Sequence, residues 1–396
     1  SANYKGMRGS SLTKHTDELL SLMAEVLLSP SFPENELERL RTQALSGLLA
    51  SESSPSDISE SLTRSLNFTN NHPYGEITTA ETLGSLTRED FENYHSTYFH
   101  PNKAYLVVVG DIDAETAFEK ANAYFGKWTR ADIPFNRWDS PVRLRATRVC
   151  LAPIEGSVQT SIKLTHTINM PPGHKDAIAA SVMNSILGGG GFSGRLMQNL
   201  REDKAYTYGA RSSFSKDPLV GSFTAYADVR KEVTDSAIVE FIYEIKRITT
   251  EMVDSNELAV TKNYMSGSFA RSLELPNTAA NFALNIKRYD LAEDYYTSYL
   301  KNLSKITPED VLAVAKKYLR PNQINIACVG NPSITESLKK FSPSGKVELY
   351  DTYGRPLIEK SPAAAGVTAK SVITAHYEAI GGVKSFSKLQ IGRAHV

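Results

Sequence analysis

The sequence predicts an α+β protein of two homologous layered domains. Each would carry a mixed, mostly antiparallel sheet with helices packed on one face, and the first domain would be N-terminally truncated. Two observations carry this prediction: an internal repeat at a constant offset, and a second unit that reads strands first and helices afterwards. "LTREDFENYHSTYFHPNKAYLVVVG" ends at Gly110 and "ITPEDVLAVAKKYLRPNQINIACVG" ends at Gly330. They align without a gap at an offset of 220 (Thr87 on Thr307, Asp90 on Asp310, Pro101 on Pro321, Gly110 on Gly330).

Each copy reads as a helix, a tight turn and a buried strand. Thr87 and Thr307 suit N-caps, each followed three residues later by an acid that favours the positive end of a helix. Pro308 stands where a first-turn proline is tolerated. Pro101-Asn102 and Pro321-Asn322 then stop the helices, and the β-branched runs at 104–110 and 324–330 are predicted as strands. Upstream, "SFPENELERLRTQALSG" ending at Gly47 resembles "EMVDSNELAVTKNYMSG" ending at Gly267. Carrying the same offset back from the start of the second unit, near Arg148, leads to a position before residue 1. The first unit is therefore expected to lack its beginning.

The second unit opens with "VQTSIKLTHTI", in which Val158, Thr160, Ile162, Leu164 and Ile168 share one face of a half-buried strand. A helix over 174–187 follows, with Ile178, Val182 and Ile186 at helical spacing. After the glycines, Ser193 is a plausible cap for a second helix. Strands at 205–214 and 220–229 are joined by the turn "SKDP". Helices are predicted around 237–250, 257–273, 277–289 and 294–303. The organisation expected is 1–126 for the rear of the first domain, 127–146 for a linker and 147–345 for the complete second domain. Residues 346–390 would be a linker opening a further region, and "IGRAHV" at 391–396 reads as a sequencing-adapter artefact.

Lys+Arg and Asp+Glu balance at 44 each, so no net field argues for nucleic acid or an anionic membrane. No apolar run approaches the roughly 20 residues of a transmembrane helix. Cys150 and Cys328 lie in strand-like apolar runs and read as buried thiols, with a disulfide as the alternative.

The loudest local signal is "ILGGGGFSGRLMQNLREDKAYTYG" at 186–209. A dinucleotide fingerprint needs a strand before its glycines, and here a helix precedes them. A Walker A loop fails as well, since Arg195 and Leu196 follow Gly194 where Lys and Ser/Thr are required. Without further information the glycines read as a helix C-cap and turn, Arg201 as a solvated helix residue and Tyr208 as a sheet residue.

This segment resembles the M16 metallopeptidases, the insulinase, pitrilysin and mitochondrial processing peptidase family. There a glycine-bearing turn leads into "SRLFxxLREKxGLxY", whose arginine and tyrosine stand seven positions apart, as Arg201 and Tyr208 do. "HPYG" at 72–75 and the doubled "Y…PNxxxxxxVG" block are similar to the family too, and the resemblance runs to about residue 345. It implies two homologous halves closing around an unstructured peptide. One half holds zinc on an inverted H-x-x-E-H motif with a more distal glutamate, and the other supplies the arginine and tyrosine to the substrate carbonyl. Under that resemblance Arg201 and Tyr208 are the catalytic candidates. Gly188, Gly189, Gly190, Gly191 and Phe192 are the substrate-binding candidates, the glycines giving mobility or close backbone approach.

No H-x-x-E-H occurs, and the histidines show no metal-ligand spacing. Where the distal glutamate would fall, near the end of the 36–48 helix, stand Ser46 and Gly47. The chain is thus expected to bind no metal, to be inactive alone, and to pair with a zinc-bearing half that is separate or fused upstream. The rival expectation is a structural or binding homologue without catalysis, like the core subunits of respiratory complexes. A bacterial periplasmic or cell-envelope location is suggested by the resemblance alone.

Overall fold

The computed structural model describes residues 6–69, 71–141, 143–357 and 368–379, and everything below concerns these. The sequence features at 358–367 and the adapter-like 391–396 lie outside them. The chain divides into two units, Ser1–Pro356 and Leu357–Val396. In the second, one helix is described, Ala369–Ala379 (α15 in chain order).

The first unit opens with six helices: α1 Thr16–Leu28, α2 Glu34–Ser51, α3 Pro55–Phe68, α4 Ala80–Ser85, α5 Arg88–Tyr98 and α6 Ala114–Phe125. Strands β1 Arg148–Pro153 and β2 Gln159–Ile168 follow, then α7 Ala177–Asn184 and the single turn α8 Arg195–Met197. The hairpin β3 Thr207–Phe214 and β4 Gly221–Arg230 leads into α9 Thr234–Thr250, α10 Ser255–Ser272, α11 Pro276–Arg288, α12 Tyr299–Ser304 and α13 Pro308–Tyr318. Strand β5 Asn325–Gly330, the short α14 Thr335–Leu338 and β6 Glu348–Leu349 complete it.

These strands make one six-stranded mixed sheet in the order β3-β4-β2-β5-β1-β6. The pairs from β3 through β5 are antiparallel, while β5–β1 and β1–β6 are parallel. The repeated caps form as expected, with reciprocal bonds between Thr87 and Asp90 and between Thr307 and Asp310. Each closes two otherwise unpaired helix N–H groups.

Four expectations require correction. Helices do not cover one face alone. The main core sets Leu151, Ile162, Leu164 and Phe223 against Val182, Ile238, Phe241 and Val311 of α7, α9 and α13. On the opposite face, Ile58, Leu62 and Leu66 of α3 bury Cys150, Ala152, Ala327 and Val329. Strand β2 is consequently buried on both faces rather than half-buried, while Val158 lies before it and is exposed. The helix expected over 294–303 begins only at Tyr299. The fourth correction is the largest: 104–109 is no strand, and Tyr105, Leu106, Val107, Val108 and Val109 are 42–56% exposed. A strand exists through its pairing. Its repeat counterpart β5 lies between β1 and β2, whereas no described strand flanks 104–109.

Register settles the cysteines. Leu151 pairs with Cys328 and Cys150 with Ala327, so the two thiols stand one position out of step and face opposite sides of the sheet. Both are free and buried. Burial pushes the Cys150 thiol up to about 12.

Candidate functional site

The 188–208 segment folds back on the sheet edge through two widened helical turns. Helix α7 passes into a π turn, Ser185–Gly189, closed by the Gly190 N–H donating to the Ser185 carbonyl at 2.9 Å. A second π turn, Gln198–Asp203, continues α8 and carries Arg201. Such i→i+5 insertions shift the side chains that follow relative to an α-helix, and they recur at functional sites.

The glycine run is packed rather than loose. A β-carbon on Gly188 would stand 2.6 Å from the Ser212 backbone nitrogen and 2.8 Å from Leu196 Cδ1. Gly191 alone of the four has a left-handed backbone, at φ +68°, and there a side chain would meet open space. The cap-and-turn expectation therefore holds at Gly191, while Gly188 serves close approach of the π turn Ser185–Gly189 to β3. Ser193 does not cap α8, whose N-cap is Gly194. Its hydroxyl instead donates to the Gly190 carbonyl at 3.0 Å and closes the glycine turn.

Phe192 projects from that turn, 67% exposed, and the Arg201 guanidinium lies 5.0 Å from its ring centroid. That stack holds a cation on an aromatic face beside solvent. Arg201 also pairs with Glu202 at 3.2 Å. The turn is tied back to the helix by Gln198 Nε2, which donates to the Phe192 carbonyl at 2.6 Å.

Tyr208 stands on β3, which is the edge of the sheet. Thr207 pairs with Val229 and Ala210 with Ala227, so β3 carries one extra residue between them, a β-bulge. Thr207 Oγ1 stabilises it by donating to the Asp228 carbonyl at 2.7 Å and accepting from Gly209 N–H at 3.1 Å. Bulges re-aim a side chain at an edge, and Tyr208 emerges 93% exposed, with no hydrogen bond or ring contact among the described residues. The structure thus brings Phe192 and Arg201 together and leaves Tyr208 free on the strand that follows.

Sequence reasoning missed two features. One is the polar network beneath α8, where Arg195 donates twice to Glu257 and Asn199 to Glu240 and Glu244. Arg195 and Asn199, beside the apolar Leu196, Met197 and Leu200 of "RLMQNL", were its signal. The other is the structural role of "HPYG", which the sequence marked only as similar to the family. His72 Nδ1 accepts from the Tyr74 N–H, and the Tyr74 hydroxyl donates to Asp217 at 2.8 Å, which ties the 72–75 turn to the β3–β4 turn. Gly75 is required there, because a β-carbon would sit 1.9 Å from the Thr69 carbonyl oxygen.

Among the described residues no three His, Cys, Asp or Glu side chains gather to hold a metal ion, and no helix is long and apolar enough to cross a membrane.

Residues 85–265 match the family profile described as "Peptidase M16 inactive domain", a span that includes the glycine turn, Arg201 and Tyr208. The chain is 24% identical over 324 residues to the "Non-peptidase homolog YmxG" of Helicobacter pylori, covering 81% of this chain and 73% of that protein. It is 27% identical over 281 residues to the "Uncharacterized zinc protease YmxG" of Bacillus subtilis, covering 67% of this chain and only 64% of that protein. Among solved structures, the peptidase M16 inactive domain from Pseudomonas fluorescens superposes with a TM-score of 0.74 at 22% identity, over 81% of this chain and 76% of that one. A protease from Helicobacter pylori gives 0.69 at 22% identity, over 80% and 77%.

Proposed function

This chain belongs to the M16 peptidase family through its inactive domain, and on that premise we propose that it is the metal-free half of a zinc-dependent endopeptidase that encloses and cleaves unstructured peptides. In this reading zinc is brought by a partner half, separate or fused; among the described residues no three His, Cys, Asp or Glu side chains gather to hold it. In the same reading residues 1–126 are the rear of a first domain homologous to the second, with 127–146 as the linker.

The observation that carries the proposal is the bulged edge strand. The outer edge of β3 has no neighbour among the described residues, so an extended peptide can add to it through main-chain hydrogen bonds. Tyr208 stands on that edge with a free hydroxyl, and Arg201 is presented nearby in sequence on Phe192. Phenol and guanidinium are both donors suited to a carbonyl oxygen that gains charge as a tetrahedral intermediate forms. The packed Gly188 and the turn at Gly191 let the backbone close beside that peptide.

A second reading, a binding homologue without catalysis, is favoured by one observation, the relative described as a non-peptidase homolog. The two readings part at one hydroxyl. In the full complex with its zinc-bearing partner, Tyr208→Phe is expected to lower kcat by about 10²-fold with little change in KM. Unchanged kcat would remove the catalytic role and leave the binding one.

A further inference from the structure

Behind the segment that carries Phe192 and Arg201 lies an open cavity of about 780 Å³. Arg195, Asn199, Glu244 and Glu257 form its floor. Arg195 donates from Nε and Nη2 to Glu257 at 2.8 and 2.6 Å, and Asn199 Nδ2 donates to Glu240 at 3.0 Å and Glu244 at 2.9 Å. The Arg195 and Glu244 side chains are only 8% and 4% exposed. Even so, Arg195 Nη1, Asn199 Oδ1 and Glu244 Oε2 have no hydrogen-bond partner among the described residues. Buried polar atoms are ordinarily satisfied, and each one that is not calls for an explanation.

Two of these three atoms are acceptors, and the lining as a whole is acidic. Five carboxylates face three cations there. Each cation is already beside a carboxylate: Arg195 on Glu257, Lys204 3.9 Å from Glu240, and Arg247 3.6 Å from Glu244. The last separation is too long for a hydrogen bond. Asp203 on the rim has no cationic partner among the described residues. The carboxylates do not gather as a metal-binding group, so the chemistry fits a many-donor organic cation instead.

We propose that this cavity binds an alkylguanidinium or alkylammonium cation. The ligand takes the place of the half-exposed Arg247 over Glu244, gives donors to Glu244 Oε2 and Asn199 Oδ1, and sets its charge against Asp203. A flat guanidinium suits paired carboxylate and amide acceptors best. Bound there it joins α9 to the π turn Gln198–Asp203, and so steadies the segment that holds Arg201. This inference does not rest on the peptidase reading.

The test is calorimetric titration of the whole chain at low salt with agmatine, a free guanidinium amine, and with a blocked arginine peptide, acetyl-Ala-Arg-Ala-amide. Agmatine is expected to bind saturably, one per chain. Arg247→Ala should tighten binding about fivefold by removing the competing cation, and Asp203→Asn should weaken it about threefold. Asp203 is exposed and Arg247 half-exposed, so these substitutions keep the test sharp should Glu244→Gln fail to fold. Tighter binding of the peptide would identify the source as a protein side chain, and tighter binding of agmatine a free amine; either supports the site. No saturable binding of either probe overturns it. So does weaker or unchanged binding in Arg247→Ala, or loss of agmatine binding in Tyr208→Phe, which would move the cation to the β3 edge.

Discussion

Gly188 shows how a residue reads differently in sequence and in space. As part of a glycine run it suggests looseness, but its α-carbon faces the backbone of β3 and the side chain of Leu196. Gly188→Ala is expected to cost about 2–3 kcal/mol in urea denaturation, because the obstructing atom is backbone and cannot yield as a side-chain tip would. Gly191→Ala tests only the left-handed backbone. Arg201 and Tyr208 stood out in the sequence only through the family resemblance, whose seven-residue spacing they match; alone they read as a solvated helix residue and a sheet residue. The Phe192–Arg201 stack was not legible there, since it depends on how the glycine turn, α8 and the π turn Gln198–Asp203 place position 201 against position 192. Ser193 failed as a cap because the helix starts one residue later, where Gly194 packs against Gly188.

His166 provides a residue-scale prediction in pH. Its ring is buried on β2, with Nδ1 3.2 Å from the Thr167 carbonyl and Nε2 without a hydrogen-bond partner among the described residues. Burial, with lesser repulsion from Arg320 and Arg143, holds it down at about 4. The unfolded chain takes up a proton near the ordinary 6.5, while the folded ring refuses it until about 4. Acidification through that window therefore favours unfolding. The contribution is fully present above about 6.5 and falls by up to about 3 kcal/mol on the way to 4. His166→Phe should flatten this part of the stability profile, measured as urea midpoints between pH 7 and 4.5. An equally steep fall in the variant would assign the acid sensitivity to carboxylates instead.

Among the elements, β3 concentrates what the candidate site needs: an open edge, a bulge and an abrupt entry. The entry is Ala205, held at φ +52° between the π turn and the strand, where the Ala205 N–H donates to the Arg201 carbonyl at 3.1 Å. A left-handed backbone at a non-glycine residue costs about 1 kcal/mol, and such strain tends to persist at functional sites. Ala205→Gly is expected to stabilise the chain by about 0.5–1 kcal/mol, since the exposed methyl makes little packing to lose. Thermal or urea unfolding would show it. The alternation of β3 and β4 was readable because one face of each meets solvent. Alternation in β2 was misread as half-burial, because α3 reaches it from more than 90 residues away in sequence and no local pattern announces that cover.

For the whole molecule, the repeat sets up a comparison within one chain. Val109 and Val329 occupy the same repeat position at an offset of 220 residues, in runs of nearly equal apolarity. Val329 is wholly buried, with β1 and β2 pairing β5 on either side, while Val109 is 42% exposed. The sequence made both runs look like core strands because periodicity reports what a segment can bury, not whether neighbours arrive to bury it. Val329→Lys should abolish or severely weaken folding, by about 4 kcal/mol or more, since a charge is forced into the sheet's covered face. Val109→Lys should leave the unfolding midpoint of this chain within about 0.5 kcal/mol. The same substitution should become damaging once a partner polypeptide pairs with 104–109, because the lysine is then enclosed between strands. Measuring both substitutions in the isolated chain and in the full complex separates a segment that merely lies on the surface from a strand that completes its sheet in the assembly. Tolerance of Val109→Lys in both states would sink the reading of 1–126 as part of a first repeat domain.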